Sequence, residues 1–132
     1  MLLKWLLLNL YKIMKKEIII DAKNKRLGRI ASEVAKALRG KTEADFLPNR
    51  TVLPKVTVKN GGLVDISEKK LKESEHARYS GYPSGRKVTS AWEVAKKDKR
   101  KVFQHAVLGM LPHNRLRKIM IKNLIIYHGE DK

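Results

Sequence analysis

The sequence predicts an α/β fold, and three observations carry that prediction. An isoleucine run ending in an acid, Ile18-Ile19-Ile20-Asp21, passes through a polar loop into a helix-period apolar stripe. A second β-type segment, Val56 to Lys59, is closed by the turn sequence Asn60-Gly61-Gly62. From Ser90 the pattern turns helical, and it ends on a short apolar run, Leu124 to Tyr127. Strand, basic loop, helix is the opening of a βα unit, and helices interleaved with short strands belong to the α/β class.

Each element has its own local justification. Ile18 to Ile20 reads as a strand buried on both faces, because a continuous apolar run offers water no polar side. Ala22-Lys23-Asn24-Lys25-Arg26 is a basic loop. Beyond it Leu27, Ile30, Val34 and Leu38 recur at helical spacing, and Ala31 and Ala35 widen the stripe. Gly40 is placed to end that helix in a left-handed conformation. Lys41 to Pro54 holds two prolines and little periodicity, so it reads as an extended loop. Leu63 to Ile66 reads as a further short strand. Ser67 to Lys87 is polar and charged and lacks a helix-period stripe, and its segment YSGYPSGRK combines aromatics, glycines and cations in a loop. Ser90 is a fair N-cap, with Glu93 three residues on to complete a capping box. A break near Lys97-Asp98 precedes a helix carrying Val102, Phe103, Ala106, Val107 and Met110, which Pro112 stops. A third helix is predicted from about Asn114 to Lys122, and Leu124 to Tyr127 closes the sheet.

Composition bounds the function. The 132 residues suit a single domain, and 42% hydrophobic residues are enough for one packed core. Thirty Lys+Arg against thirteen Asp+Glu leave a formal charge of +17. A compact body so charged repels itself and needs counter-charge; nucleic acid supplies it, with counterion release as the driving term. An anionic membrane surface fits less well, because the cations recur along the whole chain rather than in one amphipathic segment. The absence of cysteine excludes disulfides, thiolate metal sites and cysteine nucleophiles. Histidines 76, 105, 113 and 128 match no metal-ligand spacing. Residues 1–14, MLLKWLLLNLYKIM, are apolar but interrupted by Lys4, Asn9 and Lys12, and too short for the roughly 20 residues that span a bilayer. They read as an appendage to a single domain over 15–132, with Met14-Lys15-Lys16 as an alternative start.

Catalysis finds little support. Most acids lie in lysine-rich stretches such as Ser67 to Glu75, the pattern of a solvated face. A nucleotide enzyme of doubly wound type is suggested by the first βα unit, yet the loop before its helix carries one glycine and matches neither G-x-G-x-x-G nor a Walker loop. Lys23, Lys25 and Arg26 instead offer side-chain cations to a phosphate backbone, and Arg39 and Lys41 extend the basic set past the helix. In YSGYPSGRK, Tyr79 and Tyr82 could stack on unpaired bases while Arg78, Arg86 and Lys87 meet phosphates; the alternative is a surface turn whose rings pack on the core. Arg115, Lys118 and Lys122 fall on one face of the third predicted helix, beside a core stripe of Leu116, Ile119 and Met120. A helix-turn-helix around Pro112, with Arg115 to Lys122 as recognition helix, keeps a DNA-binding regulator as the rival reading.

The blocks DAKNKRLGRIASEVAKALRGK, YSGYPSGRK, AVLGMLPHNRLRK and IIYHG occur together, in an order and spacing that resembles the L-thirteen family of large-subunit ribosomal proteins, in its bacterial or organellar form. The resemblance covers about residues 17 to 129. It implies a three-layer α/β/α domain around a small, mostly parallel sheet. The implied function is a structural one: binding large-subunit ribosomal RNA early in assembly, beside neighbouring ribosomal proteins, with no catalysis, cofactor, membrane or small-molecule substrate. The location implied is the ribosome, cytoplasmic or organellar. Carried across the matching motifs, the RNA contacts fall on Arg26 and Arg29, on Ser80, Gly81, Tyr82 and Gly85, and on His113, Asn114, Arg115, Arg117 and Lys118. The chain departs from the family pattern at Arg50 to Lys55, where an Asp-x-Gly-Asp stretch is common, at Arg117, where glycine is frequent, after Gly129, where the usual His-rich tail is missing, and in its leading segment.

Overall fold

The computed structural model describes residues 2–4, 17–44, 46–49 and 53–129. Strand β1 (Glu17–Asp21) leads through the basic loop into helix α1 (Leu27–Leu38), and the chain returns along β2 (Lys55–Lys59). A 3-10 turn at Gly61–Leu63 precedes the short helix α2 (Glu68–Glu73) and the strands β3 (Glu75–Tyr79) and β4 (Arg86–Ser90). Helices α3 (Ala91–Lys97), α4 (Lys99–Met110) and α5 (Arg117–Lys122) follow, and β5 (Leu124–Ile126) closes the described chain. The appendage expected over residues 1–14 and the stretch after Gly129 lie largely outside the described residues.

The parallel sheet has the order β1-β2-β5, and β3 and β4 pair as a separate antiparallel hairpin. Parallel neighbours require a long crossover, which α1 supplies between β1 and β2 and the helical middle of the chain between β2 and β5. An α/β fold with a mostly parallel sheet is what the sequence predicts. Registered partners share a face, so Ile18, Val56 and Leu124, with Ile20, Val58 and Ile126, line one side. They pack there with Ile30, Val34 and Leu38 of α1, Phe103 and Val107 of α4, and Met120 of α5. Thr57 is also buried, on the opposite side of central β2; its hydroxyl donates to Glu17 Oε1 at 3.0 Å, which satisfies the polar atom there.

Several expectations are corrected. Ile19 is 62% exposed, so β1 is not buried on both faces; among the described residues it is an edge strand, paired with β2. Leu63 to Ile66 forms no strand: its backbone pairing is a single bridge between Asp65 and Arg26. Within Ser67 to Lys87, YSGYPSGRK does hold a loop, at 80–85, but the residues around it form a helix and a hairpin. Helix α2 buries one residue, Leu71, which gives no stripe to read. The hairpin leaves nearly every side chain in water, so no period-2 alternation marks it. Helix α5 starts at Arg117 rather than Asn114, and Arg115 precedes it in a turn. Ser90 does cap α3, accepting from the Trp92 N–H at 3.2 Å, but Glu93 returns no bond to close a capping box.

The Asn60-Gly61-Gly62 turn does more than end β2. Its three successive N–H groups donate to the carbonyls of Gly129, Tyr127 and His128, at 3.0, 2.8 and 3.2 Å. Asn60 holds φ +59°, in the left-handed region, and its amide donates to Asp21 Oδ1 at 2.8 Å. A glycine-rich turn thus clamps the segment beyond β5 against the sheet.

Candidate nucleic-acid interface

The expected contact residues fall into four groups. The first is the β1–α1 loop. Asp21 Oδ1 accepts from the Lys23 N–H at 3.0 Å as well as from Asn60, and these bonds hold its carboxyl below the usual carboxylate range, the Asn60 bond foremost. Lys25 N–H donates to the Ala22 carbonyl at 3.3 Å, and Asn24 between them is left-handed at φ +55°. This tight turn leaves Lys23, Lys25 and Arg26 exposed at one end of α1, with Arg29 exposed one turn on.

The second group stands at the other end of that helix. Arg39 caps α1 through its backbone N–H, Gly40 follows at φ +73°, and Lys41 is exposed with its ammonium 5.9 Å from the Phe46 ring. Twelve helical residues span about 18 Å, so the first two groups cannot touch the same phosphate.

The third group is the tip of the hairpin. Arg78 is registered with Lys87 and Tyr79 with Arg86. Between the strands, Gly85 N–H donates to the Tyr82 carbonyl at 2.9 Å across Pro83 and Ser84, with Ser84 at φ +62° in the place a type II turn gives a positive φ. Gly81 also has positive φ, and a side chain on Gly85 would collide with the Ser80 hydroxyl. Tyr79 and Tyr82 are 70% and 78% exposed, so their rings do not pack on the core.

The fourth group surrounds the turn after α4. His113, Asn114 and Arg115 are exposed, as are Lys118 and Lys122 on α5. Arg117 faces the other way. Its Nε and Nη2 donate to the Leu108 carbonyl at 3.1 and 2.6 Å, and Nη1 lies 2.8 Å from His113 Nδ1. The last carbonyls of a helix lack intrahelical partners, and α4 has no basic residue in its own last turn. Arg117 supplies the missing cation from outside. Helix α5 itself has six residues, short for a recognition helix laid in a groove.

One feature escaped the sequence reading. A cleft of about 640 Å³ opens between α1, α2 and α4 and the base of the hairpin, lined by Arg26, Gly28, Asp65, Lys70, His76 and His105 among others. The His76 and His105 rings lie 3.9 Å apart at 48°, and His76 Nε2 is buried without a hydrogen-bond partner. Burial, then His76 and Arg117, push the His105 imidazole below its ordinary pKa. Nothing in the spacing of two remote histidines could have announced this pairing. Among the described residues no helix is long and apolar enough to cross a membrane, and no three acidic, histidine or cysteine side chains could hold a metal.

The family model described as Ribosomal protein L13 matches residues 15–132. Relatives named Large ribosomal subunit protein uL13 align along most of the chain. That of Finegoldia magna is 40% identical over 119 residues, covering 90% of this chain and 83% of its own. That of Chlorobium phaeobacteroides is 38% identical over 120 residues, covering 91% and 80%. The Pelotomaculum thermopropionicum protein is 40% identical over 117 residues, covering 89% and 81%.

Proposed function

The chain belongs to the Ribosomal protein L13 family, a structural and non-enzymatic one, and from that premise we propose that it binds and stabilises large-subunit ribosomal RNA as the subunit assembles. The observation that carries the RNA reading is the hairpin tip: two solvent-exposed tyrosines among Arg78, Arg86 and Lys87, held by a turn with two positive-φ residues. Exposed rings beside cations are what stacking on unpaired bases, with phosphate neutralisation alongside, requires. The loop cations Lys23, Lys25, Arg26 and Arg29, the pair Arg39 and Lys41, and the cluster His113, Asn114, Arg115, Lys118 and Lys122 add separate phosphate contacts. Because the first two groups stand at opposite ends of α1, about 18 Å apart, the fit is to a folded RNA surface rather than to one strand or groove. Arg117 acts in this scheme by shaping the turn that presents His113 to Arg115.

Residues 15–132 serve as one binding unit, neighbouring ribosomal proteins share part of its surface, and the cell compartment is that of the ribosome it joins. Sedimentation of a cell extract on a sucrose gradient tests the proposal. The protein is expected with large subunits and their precursors; recovery in ribosome-free fractions alone, under growth conditions, would overturn it in favour of a regulator or another soluble role.

A further inference from the structure

Arg26 apart, the lining of the cleft between α1, α2 and α4 has no part in the RNA contacts described above. Its floor is apolar, made by Leu27, Ile66, Leu71, Val102, Ala106 and Met110. Its polar lining combines two cations, Arg26 and Lys70, with one carboxylate, Asp65, and the paired imidazoles of His76 and His105. The volume, about 640 Å³, lies within the roughly 300–1,000 Å³ of sites that enclose small ligands. Gly28 is part of the lining, and a Cβ there would meet nothing within 4 Å. His76 Nε2 is buried and unpartnered, a cost that native proteins rarely leave uncompensated.

We propose that this cleft takes one unpaired nucleotide of the bound RNA, its base against the apolar floor and the paired imidazoles, its phosphate toward Arg26 and Lys70. The inference rests on the RNA-binding reading above. Each part of the lining selects for that ligand. An apolar floor without cations would suit a hydrophobic side chain. Cations without a floor would suit a phosphate alone. The carboxylate of Asp65 repels a bare anion but accepts from an exocyclic amine of a base, so base and phosphate together satisfy all three kinds of group. The hairpin rises from the same region through His76 on β3, so a nucleotide lodged here anchors the strand that the exposed tyrosines engage.

The test uses the full chain, a transcript of large-subunit ribosomal RNA, and two variants. Gly28→Leu adds bulk at a lining position with room for a side chain, and Lys70→Glu reverses a charge at an exposed residue. Filter binding gives affinity, and ribose acylation gives the footprint at each nucleotide. The parent is expected to alter the reactivity of one unpaired nucleotide in a way that both folded variants abolish. Both should bind at least about tenfold more weakly, the scale of one lost base-stacking contact, with protections elsewhere retained. Parent-like affinity and a complete parent-like footprint in both variants would overturn the cleft assignment while leaving RNA binding intact. Failure of the parent itself to bind the transcript would overturn both readings. Titration with the four free 5′-monophosphates separates the sources. Micromolar binding of one of them, with RNA affinity insensitive to Gly28→Leu, would overturn the RNA-borne ligand in favour of a free nucleotide.

Discussion

At Arg117, two nitrogens of one guanidinium converge on the Leu108 carbonyl, at 3.1 and 2.6 Å. Hydrogen bonds with one charged partner contribute about 1.5–3 kcal/mol where they are shielded from water. Arg117 is half-buried, so Arg117→Ala should lower unfolding free energy by about 1–2 kcal/mol in urea denaturation. Arg117→Lys should recover little of it, because an ammonium cannot reproduce the planar fork. A neighbouring residue sets a pH dependence. Burial first, then the electrostatic effect of His76 and Arg117, disfavours the charged form of His105, so its folded pKa lies below the ordinary value near 6.5. Between those two values the unfolded chain binds more protons, and stability therefore rises with pH. The contribution is complete above about pH 6.5 and is lost as pH falls through the folded pKa. Urea midpoints measured from pH 7.5 to 5 should fall more steeply for the parent than for His105→Gln. Equal slopes would show that His105 does not titrate in this way.

At the scale of elements, the clamp of Asn60 to Gly62 on the segment after β5 has two glycines with different tolerances. A Cβ on Gly61 would meet the Ile126 side chain and lie 3.1 Å from the Tyr127 carbonyl, and the backbone there is pinned by the clamp itself. A Cβ on Gly62 would meet the His128 ring at 2.7 Å, but that residue is exposed and its ring can turn away. Gly61→Ala should therefore cost about 1–3 kcal/mol, the range of an overpacked core, and Gly62→Ala distinctly less. Thermal melts of the two variants decide the order. The hairpin makes the opposite kind of prediction. With both rings in water, Tyr79→Ala and Tyr82→Ala should leave the melting temperature nearly unchanged, while RNA affinity falls by about 1–3 kcal/mol for each ring that stacks. A loss of stability without loss of affinity would mean the rings serve the fold. How legible these elements were follows from how they bury surface. Helix α1 hides six residues at a 3.6 period and was read to within its ends. Helix α2 hides one and the hairpin almost none, so neither leaves a pattern in the sequence.

For the whole molecule, a formal charge of +17 works in opposite directions on folding and on binding. Self-repulsion among the cations opposes the compact free protein, and added salt screens it. The same salt removes the counterion-release gain on RNA. Raising ionic strength from about 50 to 200 mM should thus raise the melting temperature of the free chain and lower RNA affinity, by about 10³–10⁵ if six to ten phosphates are met. Melting curves and filter binding over that range measure both; a salt-insensitive affinity would remove the phosphate-contact account. The four separated groups of cations predict that single charge reversals shift the slope modestly and nearly additively, because distant contacts do not share partners.

The sequence by itself determined the α/β class, helix α1 with its left-handed Gly40, the β2 turn, the helix stop at Pro112, the basic character and the family motifs. Each is encoded within a few residues, by periodicity, by φ preference or by composition, and so can be read without a partner. Tertiary structure alone decided that Arg117 serves a carbonyl on α4. It also decided that His76 meets His105 over a cleft, and that the Asn60–Gly62 turn grips Tyr127 to Gly129. Those pairings join segments remote along the chain. They depend on which strand a crossover returns beside and on which helix faces meet, and those choices are fixed by burying the whole core at once rather than by any local run of residues.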